Sequence, residues 1–255
     1  MSSVRGRTFW IWVITTIIAI AGVGVLIRLG IWQLDRLEWR RAFNDRVTSQ
    51  LNQPMLAITG DTPSTGLYDM EYRTAVVTGV YDHKQEVLLR NQVWDNHMGY
   101  RLLTPLIIEN SSQAVMVDRG WIPFDESDSL SQFEEQGIVT VEGMIRRPQT
   151  QPDFGGVPDP TLVPGETRLA ALNIVNVERM QQQVDLALLP VYIQQAPDAA
   201  NTQLPYRSLP EIEITEGPHF GYALQWFAFA ALLGFGYPAF AYRQIKAQQG
   251  DRSEA

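Results

Sequence analysis

The sequence predicts a membrane protein in which two transmembrane helices, one near each terminus, flank a single antiparallel β-rich α+β domain. Three observations carry this expectation: long uncharged stretches at 9–27 and 222–242, a middle rich in β-branched and aromatic residues, and an uneven division of charge. The average over all 255 residues hides this organisation, because 45% hydrophobic residues is ordinary for a soluble chain.

Residues 1–8 read as a short tail and 9–29 as the first transmembrane helix. The stretch from Phe9 to Ile27 has no charged residue, and as a helix it would be about 28 Å long, close to the thickness of a bilayer's hydrocarbon core. A helix in a soluble core would turn one polar face to water over such a length. Ala19-Ile20-Ala21 also has the form of a signal-peptide cleavage site. The apolar run continues to Ile27, which an anchor needs and a signal peptide does not.

Residues 30–218 are expected to form the β-rich domain. It opens on Gly30–Arg40, an interfacial extension of the first helix with Trp32 at headgroup level and arginines reaching water. Tyr72–Tyr81 and Glu86–Asn91 then read as a hairpin, followed by strands at Tyr100–Ile108, Ala114–Asp118 and Ile138–Arg146. Asn110-Ser111-Ser112-Gln113 is a polar link of the kind that closes a hairpin. An antiparallel sheet or a small barrel would accommodate these strands. Asn176 caps a predicted helix from Glu178 to Leu188 that ends at Pro190, and Val191–Gln195 is a further strand. Pro148–Gly165 and Ala196–Pro210 are expected as surface loops.

The second transmembrane helix is placed at 219–242, again without charge, and a tail at 243–255 follows. Pro238 lies near the end of that helix, where a neighbouring helix can satisfy the freed backbone groups. Arg5 and Arg7 give the first tail +2, the second tail carries +1, and the stretch between them carries −11 of the net −8. Such an acidic domain would repel nucleic acid. Arg28, Arg36, Arg40 and Arg41 offset the tail cations in the positive-inside comparison. Long domains translocate regardless of charge, which favours cytoplasmic or matrix tails and a domain on the opposite side. The absence of cysteine fits an oxidising compartment without disulfides and fits the cytosol equally.

Catalytic constellations are lacking: there is no cysteine nucleophile, Gly-rich phosphate loop, paired-histidine metal motif or nucleophile elbow. Asp125, Glu126 and Asp128 read as a solvated loop. The expectation is therefore a protein without enzymatic turnover. His219 is the most informative residue, because Tyr222 and Trp226 follow at helical spacing on its face. A neutral imidazole is a haem-iron ligand, and an aromatic face at the bilayer boundary suits a flat apolar macrocycle. The spacing alone fits an interfacial aromatic belt better. His83 and His97 fall in turns.

Beyond these local readings, the chain resembles the Surfeit locus protein 1 (Shy1-type) family of cytochrome c oxidase assembly factors. The resemblance rests on Gly30-x-Trp32-Gln33-Leu34-x-Arg36-Leu37-x-Trp39-Arg40 directly after the first helix and on Tyr72-Arg73 with Gly79-Val80-Tyr81. It continues through Arg90-Asn91, Gly99-Tyr100 with Thr104-Pro105-Leu106, Val117-Asp118-Arg119-Gly120-Trp121-Ile122-Pro123 and Val141-x-Gly143, and closes on His219-x-x-Tyr222-Ala223-x-Gln225-Trp226-Phe227. Glu216-Gly217-Pro218 departs from the asparagine frequent in the family, and Pro148–Gly165 matches none of its patterns.

The resemblance implies a multi-pass protein of a bacterial plasma membrane or mitochondrial inner membrane that assists insertion of haem a into subunit I of a haem-copper oxidase. Haem a would be bound transiently, with His219 on the iron, Tyr222 and Trp226 lining the site and Gln225 offering a hydrogen bond. Arg119 or Arg36 would meet a propionate. Oxidase subunit I, haem a synthase and the bilayer are the implied partners. Gly30, Trp32, Gln33, Trp39, Gly120 and Trp121 are the family-motif residues expected to serve structure or partner contact. The alternatives are a scaffold that holds an oxidase subunit without binding haem, and a membrane-tethered enzyme. A receptor ectodomain fits less well, with 13 residues after Tyr242.

Overall fold

A computed structural model describes residues 2–161, 168–199 and 202–250. Residues 162–167 and 200–201 of the two expected loops, and 251–255 of the second tail, lie outside the described residues. In chain order the elements are helix α1 (Ser2–Leu51), strands β1 (Leu56–Ile58), β2 (Thr74–Tyr81), β3 (Val87–Trp94), β4 (His97–Ile108), β5 (Gln113–Pro123), β6 (Ile138–Arg146) and β7 (Ala171–Leu172), helix α2 (Val177–Gln181), strand β8 (Ala187–Gln195) and helix α3 (His219–Gly250). They divide into two compact units, one made of residues up to Arg46 and from Glu213 onward, the other of Val47–Ile212.

In the first unit α1 and α3 run antiparallel. Tyr237 Oη lies 2.9 Å from Thr15 Oγ1 and 2.7 Å from Thr16 Oγ1, Gly22 packs on Leu233, and Gly30 packs on Phe227. A Cβ at Gly30 would stand 2.5 Å from the Phe227 ring, so this position requires glycine for lack of space. The less exposed residues of α1 (Gly22, Leu26, Gly30, Gln33, Leu37, Arg40, Asn44) step by four and three, and those of α3 (His219, Ala223, Trp226, Ala230, Leu233, Tyr237) do the same. This is the seam of a helix pair. Ile14, Ile18 and Val25 on α1, and Leu232 and Phe235 on α3, point away from it and are exposed. Both helices are long and apolar enough to cross a membrane, and no part of the apolar window of α1 is buried within the chain.

The second unit is one eight-stranded sheet in the order β1-β2-β6-β8-β5-β4-β3-β7. The sheet is mixed, which corrects the antiparallel expectation: β1 pairs with β2, β3 with β7 and β5 with β8 in parallel. β2 also pairs with β4, so the ladder β2-β6-β8-β5-β4 returns to β2. The return is made where Gly79 faces Val139 on one side and Ile108 on the other, and a Cβ there would lie 2.1 Å from the Ile107 carbonyl oxygen. Central strand β5 is buried along both faces: Val115 and Val117 join Val77, Leu106, Val141 and Ile193 in one core, while Met116 joins Val87, Leu103, Leu172 and Met180 in another. Burial on both sides explains its unbroken apolar run.

Two local expectations are also corrected. β2 and β3 are not a hairpin. A 3-10 turn at His83–Gln85, capped by the Asp82 side chain, joins them without folding one on the other. The tight hairpin is β3–β4 instead, closed by Asp95 and Asn96 at φ of 44° and 63°, a backbone region that these two residue types tolerate. The predicted helix 178–188 ends at Gln181. Its cap forms as expected, with Arg179 N–H donating to Asn176 Oδ1 at 3.0 Å. Leu189 and Val191 then enter the core at period two, and Leu188 N–H donates to Gln181 Oε1, so burial of alternate residues overrides the helical spacing. Pro190, with no N–H to give, sits where the β5–β8 register shifts.

Candidate functional site

His219 is the first residue of α3 and lies on its seam face. Its Nδ1 is 2.8 Å from Gln33 Oε1 on α1. An amide oxygen only accepts, so the contact is one in which Nδ1 carries a proton and donates. Gly217, at φ +67°, precedes it; a Cβ there would come within 3.6 Å of Nε2, so glycine leaves that edge of the ring uncovered. Pro218 supplies the carbonyl that accepts from Tyr222 N–H at 3.1 Å, which starts the helix.

The segment before it, Glu213–Glu216, has no regular structure and is tied to α1. Arg40 donates to the carbonyls of Thr215 and Glu213, Asn44 donates to Thr215, and Arg41 makes a two-pronged pair with Glu216 at 2.9 Å for each bond. The Arg41 hydrogen bond and charge hold the Glu216 carboxyl below its ordinary value, and Glu216 raises Arg41 in return. Both groups are about half exposed, so the pair is screened by solvent.

The structure gathers only part of the expected set. Trp226 is half-buried on the seam and meets Phe229 edge-on at 6.2 Å, whereas Tyr222 and Gln225 are exposed. The seam runs from His219 through Ala223 to Trp226, and Tyr222 falls outside it. Trp32, Arg36 and Trp39 lie on another face of α1: Arg36 stands 4.6 Å over the Trp39 ring, and Trp39 stacks on Phe43. Gly30 and Gln33 belong to the seam. Arg40 and Asn44 were not singled out as site residues, although their places in the four-three pattern at Gln33, Leu37, Arg40 and Asn44 mark the same face.

Arg119, Gly120 and Trp121 belong to the sheet unit. Arg119 is 1% exposed; its guanidinium bonds Glu86 at 2.9 Å, Glu135 at 3.2 Å and the Phe133 carbonyl, and lies over the Tyr81 ring. Burial raises the Tyr81 phenol well above its usual range. An arginine so enclosed has no face for a propionate, which removes Arg119 from the expected ligand contacts. Gly120 adopts φ +127° with the Tyr206 carbonyl against it, and Trp121 exchanges two 2.8 Å backbone bonds with Tyr206 and stacks on its ring. Gly120 and Trp121 thus hold the 205–206 segment to β5. Among the described residues, no three His, Asp or Glu side chains converge as metal ligands.

A sequence-family model, described as the SURF1 family, matches residues 20–231. The chain belongs to the SURF1 family. Among its relatives, a SURF1-like protein of Caenorhabditis briggsae is 27% identical over 149 residues, covering 50% of this chain and 47% of the relative. A SURF1-like protein of Mycobacterium tuberculosis is 23% identical over 224 residues, covering 87% and 80%. A protein of Saccharomyces cerevisiae named cytochrome oxidase assembly protein is 29% identical over 94 residues, 37% of this chain and 24% of that one. The match thus spans about half the length of the nematode SURF1 relatives and most of the mycobacterial one.

Proposed function

We propose that this SURF1-family chain is a membrane-anchored assembly factor for cytochrome oxidase that binds haem a through His219 and assists its insertion into subunit I. The observation that carries the reading is the His219–Gln33 hydrogen bond, which holds the ring by one nitrogen and leaves Nε2 to donate to a metal; a second bond of this kind is a regular companion of metal-ligating histidines. The printed name of the yeast relative supports the assembly role. In this reading α1 and α3 span the bilayer, the closed ladder is a small barrel on the side opposite the termini, and haem a synthase supplies the cofactor.

Haem a, when bound, supplies an iron that takes a nitrogen donor and a flat apolar ring. The residues on the seam fit such a group: among the described residues the His219 ring makes its side-chain bond through Nδ1, and Trp226 offers aromatic surface on the same face, while Tyr222, Gln225 and Arg36 lie off it; no turnover is required. The test is the visible spectrum and haem extract of the purified protein from cells that make haem a. Wild type is expected to carry haem a and His219→Ala to lose it; a haem-free wild type would overturn the binding step.

The exposed Trp32, Arg36 and Trp39 face favours a second reading, a scaffold that docks an oxidase subunit. In that case Trp39→Ala impairs oxidase assembly and His219→Ala does not.

A further inference from the structure

The residue that must hold its place most closely is at the end of a helix, where the first four backbone N–H groups lack helical partners and the turn frays. His219 is the first residue of α3, so its position is set by what precedes it. Of the segment 213–216, two carbonyls are held by one guanidinium: Arg40 Nε to Thr215 O at 2.8 Å and Nη2 to Glu213 O at 2.6 Å. Asn44 Nδ2 adds a bond of 3.1 Å to Thr215 O. Arg40 and Asn44 occupy the same seam face as Gln33.

We propose that Arg40 and Asn44 are positioning residues for His219, clamping the strap 213–216 to α1 so that the imidazole meets Gln33 in one tautomer. Lengths support this. Gln33 and Arg40 are seven residues apart, about 10.5 Å along the helix. Thr215 and His219 are four residues apart, a reach of roughly 13 Å when fully extended, and Gly217 turns within it. With Thr215 held at Arg40, little slack is left between the two anchors. Lysine at this position would bring a compact ammonium without the planar fork that spans the two carbonyls.

This inference rests on His219 as the ligand for its functional meaning, but its test does not need haem. The chain has three histidines, so ¹⁵N-histidine labelling of the full-length protein in detergent gives a spectrum in which His219 is assigned by its loss in His219→Ala. Wild type is expected to show His219 with the proton on Nδ1. Arg40→Ala and Asn44→Ala are expected to give the mixed tautomers of a free imidazole, Arg40→Lys an intermediate state, and Arg28→Gln no change. In cells that make haem a, Arg40→Ala should lower the bound haem on the order of tenfold. Asn44→Ala removes one bond only and decides the matter should Arg40→Ala not fold. Retention of the wild-type tautomer in the alanine variants would overturn the clamp. If the tautomer depends on Arg40 while wild type carries no haem a, the haem reading falls and the clamp stands.

Discussion

Arginine does different work in the two units. In the sheet unit Arg119 is sealed in the interior between Glu86 and Glu135, with Arg207 also on Glu135. In the helix unit Arg40 and Arg41 stay partly in water and act on a strap of backbone. The first arrangement holds a fold together and has no face left for a ligand. The second orders the segment that leads into His219. Arg119 and Arg40 both lie in the family motifs, so motif membership by itself did not separate the sealed arginine from the partly exposed one; burial did.

The contrast can be broken most forcefully at Arg119. Replacement by alanine leaves the buried Glu86 carboxylate without its arginine, while the more exposed Glu135 keeps Arg207, and a loss of about 3–5 kcal/mol in denaturant unfolding is expected. A loss below about 1 kcal/mol would place Arg119 with the solvent-screened pairs and erase the distinction. A smaller effect is expected at high pH. Tyr192 is pushed up to about 12 from 10.0, mainly by burial. Its folded value lies above the unfolded one, so its contribution is complete below pH 10 and is lost as pH rises towards 12. Tyr192→Phe should flatten the fall in Tm over that window.

The smallest effect belongs to the exposed pair. The Glu216 carboxyl is held below its ordinary value of 4.5, so its contribution is present above that value and is lost as pH falls through the lowered one. Glu216→Gln should remove this acid dependence with little change in Tm at neutral pH, and added salt should mimic it in the wild type. A large neutral-pH effect would mean that the Arg41 pair, rather than Arg40 and Asn44, holds the strap.

Much of this was legible in the chain. Uncharged runs from Phe9 and Tyr222 determined two apolar helices, because a helix that hides no polar face announces its surroundings in its composition. Alternation placed β2, β4, β5 and β6 within a few residues, and Asn176 marked a helix start, since these depend on neighbours in sequence. The ordered motifs marked the family. Partners distant in sequence were not legible: the parallel pairing of β5 with β8, the return of β2 to β4 at Gly79, the enclosure of Arg119, and the meeting of Gln33 with His219, 186 residues apart. Local sequence determines what each segment can become, whereas packing decides which segments meet, and a hydrogen bond between two of them exists only once both have been placed.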